Sequence, residues 1–453
     1  MAAQILAICI FVGMFLLIIL DKFERYYITL ASGALVLTLV FGVCMHSMSA
    51  IWGTLNLPSI FTSGFWYGAS EEGNSGINWS TIFFIAGMMI MVEGLGEAGF
   101  FRWLCLTLAK LVRYRIVPLL VCFMVLSAVL SMFIDSITVV LFLATVTLEL
   151  AQTMKFNPIP MILSEVFCAN LGGAATMCGD PPNIIVGTSL GYTFFDFISN
   201  TGVAVAICFV LVLIYFVLCF RKRLLRDEKN SGTAVCLQPG TAITNRPAFL
   251  LSAGVFLLAV ILLATHAQTK LTVACIGVIV AALSLVVIGC TSGGKAVLAI
   301  IKGVDYKTLL FFIGLFVSVA GLKETGVLDV IARFITTVSG GNAAIIVVII
   351  LWISAVTSAF VDNIPFAATM IPVVRSIAAA SGIDMGVLAW ALSLGTDLGG
   401  NATPIGASAN VVGTSVAAKG GYPISWGVYC KYCVGATVLV IAVSMGYLFL
   451  RYL

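Results

Sequence analysis

The sequence predicts an all-α polytopic membrane protein with inverted structural repeats, two re-entrant hairpins and two discontinuous helices. Three observations carry this prediction: a composition that cannot clothe a water-facing surface, long continuous apolar runs, and segments that recur at one constant offset. Of 453 residues, 61% are hydrophobic and 9% are charged, against roughly 25% charged in a soluble chain. Mean hydropathy is +1.16. Such a chain is excluded as a soluble enzyme, a nucleic-acid binder or a disordered protein, and lipid must be its main solvent. The net charge of +4 says little about partners, because the placement of charge matters more than its sum.

Apolar runs lie near 4–20, 26–44, 79–97, 116–134, 137–152, 159–177, 201–220, 247–265, 271–290, 306–322, 342–361, 364–380, 387–406 and 429–450. A membrane-crossing helix needs about 20 residues. The runs are continuous rather than alternating, so they read as helices and not as barrel strands. The first run has no basic residue before it and no small-residue cleavage site after it, and reads as a retained span. The thirteen cysteines are scattered through apolar runs, as at Cys9, Cys122, Cys208 and Cys275, where Cys acts as a small hydrophobe. The CxxC of Cys430 and Cys433 has no second pair, and His46 and His266 are the only histidines. The sequence therefore points to no metal site, no cofactor and no enzyme activity.

Orientation follows from Lys and Arg in short loops. Lys22 and Arg25 follow the first span. The next loop, 45–78, has no Lys or Arg and carries Glu71 and Glu72. Arg102, Lys110, Arg113 and Arg115 then cluster, as do Arg221, Lys222, Arg223, Arg226, Lys229 and Arg246, and later Lys295, Lys302 and Lys307. The consistent solution places 21–25, 98–115, 221–246 and 291–305 in the cytoplasm, with the N-terminus and 45–78 outside. The expected location is the cell (inner) membrane, with the chain crossing it many times.

Residues 78–99 (NWSTIFFIAGMMIMVEGLGEAG) match 305–326 (DYKTLLFFIGLFVSVAGLKETG) at eight of 22 positions, at an offset of 227. At the same offset, 127–138 matches 354–365 at seven of 12 positions and 170–183 matches 397–410 at seven of 14. Asp135/Asp362, Thr176/Thr403 and Asn183/Asn410 share this register. Residue 78 begins its span from outside and residue 305 from the cytoplasm, so the copies are inverted, an architecture of secondary transporters. The expected organisation is N-terminal scaffold spans over 1–77 and a first repeat over 78–220, with a hairpin near 116–152 and a broken helix near 159–199. A cytoplasmic linker over 221–246 and scaffold spans over 247–304 follow. The second repeat covers 305–453, with a hairpin near 342–380 and a broken helix near 387–418.

Asp135 sits between two apolar runs with no real loop, flanked by Arg115 and Lys155. This describes a re-entrant hairpin with Asp135, Ser136 and Thr138 at its tip, and Asp362 and Asn363 form the tip of the second. A carboxylate at membrane depth costs roughly 2.5–3.5 kcal/mol on insertion scales, so it needs a cation, a proton or donors. Gly172-Gly173 and Gly179-Asp180-Pro181-Pro182-Asn183 interrupt a helix, since prolines cannot continue its ladder. The second copy breaks at Gly399-Gly400 and Gly406. Half-helix N-termini offer donors to an anion, whereas unwound carbonyls with Thr176, Asn183, Thr403 and Asn410 suit Na⁺. Asp135, Asn183, Asp362 and Asn410 are the places where Na⁺ could sit. Asn170, its counterpart Asp397, Asp180 and Asn401 complete the expected binding set. Burial disfavours the charged form of an unpaired carboxyl, making Glu165 a candidate proton carrier; a neutral, hydrogen-bonded structural role is the alternative. Glu97 and Glu324 read as interfacial, and Arg375 is expected to snorkel to the headgroups.

At NPIPMILSEVFCANLGGAATMCGDPPNIIVGT (157–188), FVDNIPFAATMIPVV (360–374) and LGGNATPIGASANVVG (398–413), the chain resembles the ion transporter superfamily. Within it, the likeness is to the cluster of the arsenite permease ArsB, the P protein and NhaD sodium/proton antiporters. The resemblance implies a homodimer, a scaffold and a mobile transport domain per protomer, and elevator-type alternating access. Carboxylate carriers of the group have Ser-Asn-Thr at the tips, where this chain has Asp135-Ser136-Ile137 and Asp362-Asn363-Ile364. An extra carboxylate repels an anion unless a cation neutralises it. The expected function is secondary transport of a small inorganic solute or ion. Arsenite or antimonite efflux coupled to H⁺ or Na⁺ leads, followed by Na⁺/H⁺ antiport and then sodium-coupled anion or carboxylate transport. No GxxxxGK[ST] motif occurs, so ATP could act only through a separate ATPase subunit.

Overall fold

A computed structural model of the chain describes residues 2–20, 22–68, 76–230 and 238–453, the side chains of Lys229 and Asn230 excepted. Glu71 and Glu72, used above to place a loop outside, lie beyond the described residues. Among the described residues the architecture is helical, with a single β-bridge between Tyr67 and Leu271. Nine helices among them are long and apolar enough to cross a bilayer. Their outward faces carry large apolar side chains such as Leu16, Leu218, Leu250 and Val286, as lipid-facing surfaces require.

The internal repeat is written into the helix boundaries. Trp79–Glu97, Phe100–Leu111, Ile116–Ser131 and Ser136–Met154 recur, shifted by 227, as Tyr306–Glu324, Val327–Val338, Ala343–Ser358 and Asn363–Ser381. The broken pair Ile159–Gly173 and Pro181–Leu190 recurs as Met385–Gly399 and Ser408–Lys419. Local chemistry explains the agreement. Asn78 and Asp305 each cap their helix through the backbone N–H three residues on, satisfying an orphan donor. Gly99 and Gly326, at φ +83° and +75°, make the turn into the next helix in a conformation that costs glycine little.

The two copies interlock. Helices outside the repeat pack on each copy as well: Val273–Ser292 on Trp79–Glu97, and Arg25–Leu35 on Tyr306–Glu324. Glycine permits both approaches: a Cβ on Gly87 would stand 2.2 Å from the Gly277 carbonyl oxygen, and one on Gly314 would stand 2.3 Å from the Thr29 carbonyl carbon. The second half of each broken helix crosses to the other copy. Ser408–Lys419 lies on Ser136–Met154, and Pro181–Leu190 lies on Asn363–Ser381. Val140, Ala144, Ile162, Val166, Ala409 and Ala417 form the small apolar seam of the first crossing.

Two boundaries differ from the sequence reading. The helix Val203–Asn230 continues through Arg221, Lys222, Arg223 and Arg226, so the linker starts about ten residues late; Lys and Arg are good helix formers, and charge alone does not end a helix. The stretches read as basic loops hold the helices Phe100–Leu111 and Gly294–Gly303. Each has one apolar face and one polar face, as a helix lying along an interface does.

Candidate functional site

Each hairpin turns in a few residues. Ile116–Ser131 and Ser136–Met154 are joined by 132–135, and Ala343–Ser358 and Asn363–Ser381 by 359–362. Asp135 ends the first turn, and its carboxylate accepts from the Thr138 backbone N–H and hydroxyl, both at 3.3 Å. Asp362 ends the second and accepts from the Ile364 N–H at 3.3 Å. Both acids are therefore helix caps, and each has an oxygen that does more or is left over. Asp362 Oδ2 also takes a 2.6 Å ion pair from Arg25 and a 2.8 Å bond from the Ser408 hydroxyl. Asp135 Oδ1 is buried with no donor.

Asp180 joins the two tips. One of its oxygens accepts from Asn363 at 3.0 Å and the other from the Ser136 hydroxyl at 3.5 Å. Thus Ser136, Asp180, Asp362, Asn363 and Ser408 form one connected polar cluster between the copies. Arg25 reaches it from the N-terminal helices.

Behind this cluster, the side chains of the breaks satisfy freed backbone groups. Asn183 donates to the Gly173 and Thr176 carbonyls at 3.2 and 3.1 Å. Asn410 donates to the equivalent Gly400 and Thr403 carbonyls, both at 2.8 Å. The Thr176 hydroxyl donates to the Met132 carbonyl and the Thr403 hydroxyl to the Ala359 carbonyl, tying each break to its own hairpin turn. Asn170 donates to Asn401 at 2.9 Å and to Asn410 at 2.8 Å. Gly172 and Gly399 let each broken helix press on its hairpin: a Cβ would stand 2.1 Å from the Ala128 carbonyl oxygen or 2.3 Å from the Ala355 Cα.

A cavity of about 710 Å³ opens at the tips. It is lined by Asp135, Ile137, Thr138, Asp362, Ile364 and Ser408, and by Lys22, Glu24, Arg25, Glu93, Asp305 and Lys307 from the surrounding helices. Formally these charges are three positive (Lys22, Arg25, Lys307) and five negative (Glu24, Glu93, Asp135, Asp305, Asp362), so 3 − 5 = −2. Lys307 pairs with Glu24 at 2.7 Å. A smaller cavity of about 150 Å³ is lined by Asn56, Asn78, Trp79, Thr188, Lys323 and Arg375.

The structure brings the expected tip residues together. It places Asn170, Asp397, Asn401, Asn183 and Asn410, all fully buried, in the layer behind the tips, outside the cavity lining. Glu165 is also apart: it lies between the first hairpin and first broken helix, with one carboxyl oxygen accepting from Thr147 at 2.5 Å. Arg375, expected at headgroup level, donates from its guanidinium to the Ser189 carbonyl; that carbonyl belongs to the last turn of a helix and accepts a cation readily. Sequence reasoning missed Arg25 and Ser408 as partners of Asp362. Nothing in the sequence links positions 337 residues apart, and Ser408 carried no signal of its own.

Residues 15–395 match the family CitMHS, described as citrate transporter. An uncharacterized transporter of Mycobacterium tuberculosis is 33% identical over 451 residues, covering 99% of both chains. The P protein of Mus musculus is 29% identical over 450 residues, covering 83% of this chain and 54% of its own. Two solved structures share the fold. The YdaH transporter of Alcanivorax borkumensis has a TM-score of 0.54 at 15% identity, covering 81% of this chain and 84% of its own. MtrF of Neisseria gonorrhoeae has a TM-score of 0.56 at 11% identity, covering 83% and 81%. With its family match spanning most of its length, the chain belongs to the CitMHS family of membrane transporters, within the ion transporter superfamily.

Proposed function

We propose that the protein is a secondary active transporter that moves a small inorganic solute or ion, driven by H⁺ or Na⁺, through alternating access of the elevator type. The observation that carries this reading is the acid-lined cavity ending at two equivalent aspartate caps. Its excess of carboxylates favours a cation or a neutral solute over a free anion. Arsenite, largely the neutral As(OH)₃ near neutral pH, is the leading substrate, with antimonite beside it and efflux as the direction. Na⁺/H⁺ antiport is the close alternative. The family's description as citrate transporter favours a third reading, in which a carboxylate enters with a cation that neutralises the tips.

Inversion of the repeat is supported by the two cavities. Along Trp79–Glu97 the smaller cavity touches Trp79 and Ser80 and the larger one Phe84 through Glu93. Along the equivalent Tyr306–Glu324 the order reverses, with Lys307 to Phe311 at the larger cavity and Phe316 to Lys323 at the smaller. This order supports equivalent helices running in opposite senses between two openings, as alternating access would require. The hairpins and broken helices are assigned to the moving domain, and the N-terminal and central spans to a scaffold shared with a second protomer.

The test is flux in proteoliposomes with arsenite, Na⁺ and citrate in parallel, under imposed pH and Na⁺ gradients. Saturable, gradient-driven uptake of one of them is expected, with arsenite first. Single-channel currents, or no flux of any of the three under either gradient, would refute the proposal.

A further inference from the structure

The layer behind the tips contains a mismatch between its two halves. In the first copy, Asn170 presents an amide to Asn410, and its Nδ2 donates to Asn410 Oδ1 at 2.8 Å. Asn410 must receive with its oxygen, because its own N–H groups are committed to the Gly400 and Thr403 carbonyls. The second copy repeats this arrangement with two changes: position 397, equivalent to 170, is Asp, and Asn401, which also accepts from Asn170, has Ala174 as its counterpart. Asp397 adjoins Asn183 and Thr396. The Asn183 amide is held by the Gly173 and Thr176 carbonyls, so flipping it would set its oxygen against two acceptors. Asn183 therefore also presents Oδ1, and that oxygen has no donor. Neither carboxyl oxygen of Asp397 has a donor either, although Asp397 and Asn183 are fully buried. Asp397 and the Asn183 amide are thus neighbours whose three oxygens all lack a donor, where at the equivalent junction the Asn170 amide donates to Asn410.

Charge does not resolve the mismatch. Of the ionisable groups on the elements packed around Asp397, Asp180 and Glu165 are acids and Tyr429 is a buried phenol. Arg375 is committed to the Ser189 carbonyl, Arg451 to Ser199 and Tyr447, and Lys431 is exposed. Asp362 is paired with Arg25. A carboxylate buried without donor or cation is strongly disfavoured, whereas a carboxylic acid has the shape of the Asn170 amide and supplies one O–H.

We infer that Asp397 is a proton-binding site, whose O–H donates to Asn183 Oδ1 as the Asn170 amide donates to Asn410. The inference rests on the transporter reading above and names its coupling ion as H⁺. Losing the proton leaves a carboxylate against the carbonyl oxygen of the side chain that fastens the first break. Proton release at Asp397 is thus tied to the geometry of the Gly173–Asn183 segment, directly behind Asp180 and both tips.

Infrared spectroscopy of the full-length protein in liposomes tests this without reference to flux. The spectrum of wild type minus D397N, taken with and without Na⁺ and in H₂O and D₂O, is expected to show a protonated-carboxyl band that shifts on deuteration. E165Q should retain it. D397N restores an amide donor, so it is expected to fold with an unfolding temperature no lower than wild type and to lose its response to a pH gradient. Absence of the band, or a band that appears only when Na⁺ is withdrawn, overturns the inference, as does full pH-driven transport by D397N. Absence of all flux in wild type would sink the transporter reading while leaving the infrared result to stand or fall by itself.

Discussion

Asp135 and Asp362 occupy equivalent caps, yet their surroundings differ. Asp362 is held by Arg25 and Ser408, while Asp135 keeps a buried oxygen without a donor. The difference arises partly outside the repeat, because Arg25 belongs to the helices that precede the first copy, and partly within it, because Ser408 has Pro181, without a hydroxyl, as its counterpart. Asparagine at either position keeps the cap, since its side-chain oxygen still accepts from the backbone, and removes the charge. D135N and D362N are each expected to fold like wild type by size-exclusion chromatography and to lose coupled flux. Wild-type flux in both would remove these acids from the mechanism. Arg25→Gln should keep Asp362 capped but free its charge, slowing turnover by shifting the balance between the two access states; an unchanged rate would show that the 2.6 Å pair has no part in the cycle. The acids were legible in the sequence because a carboxylate inside an apolar run, repeated at a fixed offset, has few innocent explanations. Arg25 was legible only as an orientation signal, because its partner lies in another repeat.

At the scale of elements, each broken helix leans on its hairpin through a glycine, the Thr side chains at the breaks hold the hairpin turns, and the Asn side chains hold the freed carbonyls of the breaks themselves. Both devices act on backbone carbonyls, which explains why the same residue types recur: a freed carbonyl in a bilayer must find a donor. Gly172→Val and Gly399→Val are expected to force the Ala128 and Ala355 contacts apart, at about 1–3 kcal/mol for overpacking, seen as a lowered unfolding temperature in detergent. An equivalent change at Gly254, where a Cβ would meet nothing within 4 Å, should have little effect. Equal stability of all three variants would contradict the packing described. The breaks themselves were visible as Gly and Pro runs. What they close upon was not, because the second half of each broken helix crosses to the other copy, and a linear pattern carries no information on crossing.

At the scale of the molecule, two interlocked copies enclose one polar cluster and face two openings. The repeat was readable from identities at one offset, and the helix boundaries follow that offset. The larger cavity was not readable, since it is shared by residues from both tips, the N-terminal helices, the later part of Trp79–Glu97 and the start of Tyr306–Glu324. Alternating access requires this cluster to be exposed to the two sides in turn. Thr138→Cys places a thiol in the cavity lining, and labelling by a membrane-impermeant maleimide from each side measures that exposure directly, with wild type correcting for native cysteines. Labelling from the side bearing Lys22 and Lys307 in resting protein, and from the opposite side once substrate and a reversed pH gradient drive turnover, is the expected result. Labelling confined to one side under every gradient would contradict it.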